Sequence, residues 1–151
     1  MYKLNKKKKI VVIGAGNWGI NHINTLNRLG CLSGVIDCDK SQLNKIKTKF
    51  PHVKLYADID KALEDENDAF IVATPAPSHY KIARKIIEKG KPTLIEKPLT
   101  LNLEDAFRLI ELSKIYKSNV MVGHVLLFHP AIRKIKEIIE SGKLGALQYI
   151  Y

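Results

Sequence analysis

The feature that most constrains this chain is an apolar run of four residues, Ile10–Ile13, followed at once by glycines at 14, 16 and 19 in "GAGNWG". A short, fully apolar run is what a strand buried on both faces of a parallel sheet requires. The glycines then need a tight turn opening a helix: Gly14 permits the turn, Gly16 admits close backbone approach, and Gly19 lets helix and strand pack together. A helix N-terminus in that position offers free N–H groups and a partial positive charge to an anion such as a pyrophosphate. Asp37, at the end of "LSGVID", supplies an acid 23 positions after Gly14. There a carboxylate accepts from ribose hydroxyls and repels a 2′-phosphate, favouring NAD over NADP.

The rest of the chain repeats the alternation. Strands are predicted at 32–37, 55–57, 69–74, 92–96 and 119–124. Helices are predicted over 18–29, 41–50 (closed by Pro51), 58–63 and 78–89, with Ser78 as cap and Gly90 as stop. Asn102 caps the longest helix, with Leu103, Ala106, Phe107 and Ile110 at i, i+3, i+4 and i+7. A last helix runs from Pro130 to Ser141, with Ile132, Ile135 and Ile139 inward. Alternating strands and helices imply right-handed βαβ units, hence an α/β fold with a doubly wound parallel sheet of the Rossmann type. "LGALQYIY", 144–151, reads as one more strand. The expected organisation is a basic tail over 1–9, an NAD-binding domain over 10–123, and a linker, helix and first strand over 124–151 leading into an absent C-terminal domain. The apolar strand "ALQYIY" would favour edge-to-edge pairing, a route to a homo-oligomer.

Charge and composition remove other classes. The net charge is +10, and five lysines, at 3, 6, 7, 8 and 9, carry half of that excess. They read as a solvated tail; the competing reading, a polyanion-binding arm, lacks aromatic–basic interleaving or a nucleic-acid motif elsewhere. A signal peptide is excluded because the apolar segment after the lysines is too short and has no A-x-A site. No apolar stretch approaches the ~20 residues that cross a bilayer. Cys31 and Cys38 stand seven apart, which fits two reduced thiols in a cytoplasmic protein. His124 and His129 have no carboxylate or cysteine beside them to complete a metal site, so no metal is expected. His22, on the first helix, reads as a solvent or packing residue, and His52 carries no signal.

Two further motifs stand at strand ends: "ATPAPSH", 73–79, and "EKP", 96–98. With the glycine turn, the acid at 37 and "GHVLLFHP" at 123–130, they make the chain resemble the glucose–fructose oxidoreductase / inositol dehydrogenase / rhizopine-catabolism (Gfo/Idh/MocA) family. The resemblance implies an oxidoreductase that moves a hydride between a nicotinamide dinucleotide and a hydroxyl of a sugar, nucleotide-sugar or cyclitol. It implies that Gly14, Gly16, Asn17, Trp18 and Gly19 form the pyrophosphate turn and that Asp37 holds the adenosine ribose. Thr74, Pro75 and His79 would line the cofactor cleft. Glu96 and Lys97 would face the nicotinamide, Lys97 being similar to the family's catalytic lysine, and His129 would reach the substrate. Residues 123–145 resemble members acting on UDP-linked amino sugars and sugar acids. Alcohol oxidation needs a proton acceptor as hydride leaves; desolvation and a cationic ring nearby suit an amine to this, and a carboxylate aimed at it works against. A non-catalytic NAD(H)-binding module is the alternative, as is a fragment without turnover.

Overall fold

The computed structural model describes residues 7–149. The elements, in order, are β1 (Ile10–Ile13), α1 (Gly19–Leu29), β2 (Leu32–Ile36), α2 (Lys40–Lys49), β3 (Lys54–Tyr56), α3 (Ile59–Glu64) and β4 (Ala69–Val72), followed by α4 (His79–Glu88), β5 (Thr93–Ile95), α5 (Leu103–Ile115), β6 (Val120–Val122) and α6 (Pro130–Glu140). Short 3-10 turns cover Ala76–Ser78 and Val125–Phe128. All strand pairs are parallel, in the order β3-β2-β1-β4-β5-β6. This is the doubly wound arrangement, in which the order reverses beside β1 and the carboxyl ends of β1 and β4 open a crevice.

Alternate side chains of each strand feed two cores, as a sheet covered on both faces requires. Val11, Ile13, Phe70, Val72 and Ile95 pack with Ala83, Ile86 and Ile87 of α4 and Leu109 of α5. Val12, Val35 and Ile71 pack on the other side with Ile23 and Leu26 of α1 and Ile46 of α2. Local chemistry agrees at several ends: Asp39, Asp58 and Asn102 each accept a backbone N–H from the first turn of the helix they cap. Gly30 closes α1 in the left-handed region at φ 66°.

Four expectations are corrected. Ser78 does not cap α4; its hydroxyl donates within its own loop, toward Thr74 Oγ1 at 2.7 Å and the Pro75 carbonyl at 2.7 Å. On α5, Leu103, Phe107 and Ile110 are exposed, and the helix docks instead through buried Leu109 and half-buried Leu112. On α6 no residue is buried, and Ile132 and Ile135 are exposed because among the described residues the helix lies against little more than the Val125–Phe128 turn. Residues 144–149 form no strand: among the described residues β6 is the edge of the sheet, paired with β5 alone, and this segment does not add to it. Ile150 and Tyr151 lie outside the described residues, as does the tail up to Lys6.

Candidate functional site

The glycine turn leaves β1 at Gly14, which adopts φ 94°, a conformation costly for any residue with a Cβ. A Cβ there would also meet the backbone of Ala73 and Thr74 at 2.7–2.9 Å, so the turn rests directly on the end of β4. Gly19 is pressed against the Gly14 carbonyl with no room for a side chain. Gly16 is different: it is exposed, and the space its Cβ would take is open. The N–H groups of Gly16, Asn17 and Trp18 find no acceptor among the described residues, and α1 has no acid in its first turn. Bare donors at a positive helix end, with room above them, fit a dinucleotide pyrophosphate. Trp18, half-exposed, flanks the turn.

Asp37 continues from β2 and faces that turn. Its Oδ2 accepts from the Ala15 N–H at 2.6 Å and its Oδ1 from the Asp39 N–H at 2.8 Å. Each carboxylate oxygen has a second lone pair left for a hydroxyl donor. A pocket of about 290 Å³ lies beside the turn, lined by Ala15, Gly16, Asn17, Ile20, Gln42 and Lys45 among others.

Across the crevice, the loops after β4 and β5 depart from the sequence-based expectation. Thr74 is half-buried and Pro75 exposed, both at the crevice edge. His79 does not line it. The residue is 1% exposed, with Nδ1 2.8 Å from the Pro98 carbonyl and Nε2 2.8 Å from the Thr74 carbonyl, so it ties the two loops together. Glu96 is buried as well. Its carboxylate, 9% exposed, accepts from His22 Nε2 of α1 at 2.7 Å and lies against Gly123, where a Cβ would come within 3.1 Å of it.

Lys97 remains exposed, its amine without hydrogen bond or ion pair among the described residues, and its peptide bond to Pro98 is cis. It borders a mainly apolar cleft of about 620 Å³ shared with Pro98, Gly123, His124, Val125, Leu126 and Leu127. His129 is exposed outside that lining, and its Nδ1 accepts from the Ala131 N–H at 3.2 Å, capping α6. The residue overlooked by sequence reasoning is His22. Its only trace in the sequence is a polar side chain three residues after Gly19, and nothing there identifies the acid it meets. Among the described residues no group of three or more His, Cys, Asp or Glu could hold a metal ion, and no helix is long and apolar enough to cross a membrane.

Comparison with known proteins assigns the family and the fold. Residues 8–124 match the oxidoreductase family with an NAD-binding Rossmann fold, GFO_IDH_MocA. The inositol 2-dehydrogenase of Corynebacterium glutamicum is 30% identical over 149 residues, which are 95% of this chain and 44% of that protein. An NAD-binding protein from Listeria innocua superposes with a TM-score of 0.84 at 29% identity, over 93% of this chain and 42% of the other. The WlbA dehydrogenase of Bordetella pertussis, solved with NADH and UDP-GlcNAcA, shares the fold with a TM-score of 0.86 at 22% identity, over 93% and 44%. The chain thus spans less than half the length of these relatives. Open donors on a glycine turn, an acid at the end of β2 and a lysine at the end of β5 stand where this match falls: the chain belongs to the Gfo/Idh/MocA oxidoreductase family, through its NAD-binding Rossmann domain.

Proposed function

We propose that this chain is the cofactor-binding part of a dehydrogenase acting on a hydroxyl of a sugar, nucleotide-sugar or cyclitol, and that it takes NAD(H) in preference to NADP(H). The observation that carries the reading is the exposed Gly16–Trp18 turn, with three N–H groups lacking an acceptor among the described residues and the Asp37 carboxylate beside it. The relatives' names support the substrate class: one is an inositol 2-dehydrogenase and another was solved with a UDP-sugar.

When bound, the nicotinamide supplies hydride acceptance or donation. The chain's own residues do the rest. Gly16, Asn17 and Trp18 donate to the pyrophosphate, and the end of α1 favours its charge. Asp37, already oriented by the Ala15 and Asp39 N–H groups, accepts from the ribose hydroxyls and repels a 2′-phosphate. Thr74 and Pro75 border the crevice. Lys97 Nζ, free of a carboxylate partner among the described residues, would take or return the hydroxyl proton as hydride leaves or arrives. The mainly apolar cleft beside it offers a surface on which the apolar face of a substrate could pack. His129, on the chain beyond the cleft, contributes to substrate contact. Residues 124–151 lead toward a further, substrate-binding domain.

The test is a fluorescence titration of the chain with NADH and, in parallel, NADPH, read at Trp18, the single tryptophan. Saturable quenching by NADH with at least tenfold weaker response to NADPH is expected. Tighter binding of NADPH would overturn the role of Asp37. No response to either from folded protein would overturn the assignment of the glycine turn.

A further inference from the structure

The His22–Glu96 pair is a partly buried contact that the mechanism above does not use. Glu96 stands at the end of β5, immediately before Lys97, and its own N–H donates to the Val72 carbonyl at 2.9 Å, fixing the backbone. The side chain has one strong partner. Its Oε1 takes the His22 N–H at 2.7 Å, while Oε2 lies 3.4 Å from the Lys97 backbone nitrogen. Gly123 leaves the space in which the carboxylate lies: a Cβ there would stand 3.1–3.2 Å from Cδ and both oxygens. One carboxyl group therefore joins α1, β5 and the end of β6, one residue before a lysine whose amine has no ion pair among the described residues.

We propose that His22 is a positioning residue that keeps Lys97 free by holding Glu96 away from it. This inference rests on the reading of Lys97 as the proton-handling amine. The physical reason is local. An unheld Glu96 carboxylate is the nearest acid in sequence to the Lys97 ammonium, and a buried carboxylate without a donor is driven to find one. Pairing with Lys97 would stabilise the ammonium and remove the free amine that acid–base exchange needs. His22 supplies the donor instead, from the helix whose N-terminus receives the pyrophosphate.

The experiment compares the chain with its His22→Gln and His22→Leu variants, by acylating each with limiting N-hydroxysuccinimide acetate at fixed pH. The Lys97 rate is read by mass spectrometry against the exposed lysines of the same digest. Glutamine keeps an N–H donor and should leave Lys97 reacting as in the unaltered chain. Leucine should slow it about three- to tenfold, the effect of one carboxylate brought within ~4–6 Å of an ammonium. The double variant His22→Leu/Glu96→Leu leaves no orphaned charge and should recover the original rate, even where the single leucine variant fails to fold. Unchanged reactivity in His22→Leu, equal slowing in His22→Gln, or a slow double variant would overturn the proposal. NADH affinity, measured in the same samples, should stay within twofold. Its absence from the unaltered chain would count against the cofactor reading and leave the Lys97 comparison standing.

Discussion

Replacing Thr93 by valine should make this protein more stable. Thr93 is 3% exposed on β5, and its Oγ1 is buried without a hydrogen-bond partner among the described residues. It lies in register with Phe70 on β4, which is in register with Val11 on β1, and Val11 and Phe70 belong to one apolar core. A hydroxyl in that row has given up its bonds to water and received none in return, a cost of about 1–3 kcal/mol. Valine keeps the β-branched shape and replaces the hydroxyl with a methyl of similar size, so little repacking is needed. A gain of about 1–2 kcal/mol corresponds to about 3–6 °C in Tm for a chain of this length. Differential scanning calorimetry with urea unfolding on the same samples measures both. Thr93→Ser, which keeps the hydroxyl and deletes the methyl, should fall by about 1 kcal/mol. A lower Tm for Thr93→Val would refute the reasoning, because it would mean that the hydroxyl has a partner whose loss outweighs the relief.

Gly19→Ala should lower NADH affinity at least tenfold and cost about 1–3 kcal/mol, since the new methyl meets the backbone of Gly14 and α1 must shift; the Trp18 titration and a urea melt report the two effects. Two exposed aspartates near the amino ends of β1, β3 and β4 should add a small, solvent-screened share to the acid sensitivity of the fold. Asp65 is held below the usual carboxylate range by hydrogen bonds from Lys54 and the Tyr56 hydroxyl, and Asp68 by the Lys9 N–H and the charge of Lys8. Their depressed folded values mean that their contribution is complete above the ordinary aspartate value of ~3.9 and is lost as pH falls through the folded ones. Asp65→Asn should therefore flatten the loss of far-UV circular dichroism between about pH 5 and pH 2 while lowering stability at neutral pH; an unaltered acid profile would contradict this.

Most of the fold was legible because its signals are local. Four apolar residues and a glycine turn specify β1 and α1, and "AFIV" before two prolines specifies β4. The helix faces were not legible in the same way. α5 carries apolar residues on two sides, Leu103, Phe107 and Ile110 on one and Leu109 and Leu112 on the other, and periodicity cannot say which side meets the sheet. In α6 the isoleucine stripe states that something apolar is to be covered, which is a different matter from finding it covered. The strand expected from 144 onward needs a partner edge in register beside it, and whether the segment reaches one is decided by the chain's path, not by its apolar pattern. The orientations of His79 and Glu96 depend on partners 19 and 74 residues away, Pro98 and His22, and no spacing rule reaches that far. The glycine turn was readable for the opposite reason: the positive φ of Gly14 and the contact of Gly19 with the Gly14 carbonyl lie within six residues.

The position of β1 between β2 and β4 also bears on how the chain reaches this structure. Pairing β1 with β2 closes a loop of about 18 residues, whereas pairing it with β4 closes about 55. The longer closure costs about 1 kcal/mol more in chain entropy, from the (3/2)RT ln n dependence. The segment up to β3 can therefore assemble on short closures, and its finished β1 edge becomes the template on which β4, β5 and β6 add in turn. Ile10–Ile13 is then the seam of folding, where a disturbance delays both halves, while one in β6 delays only the last strand to arrive.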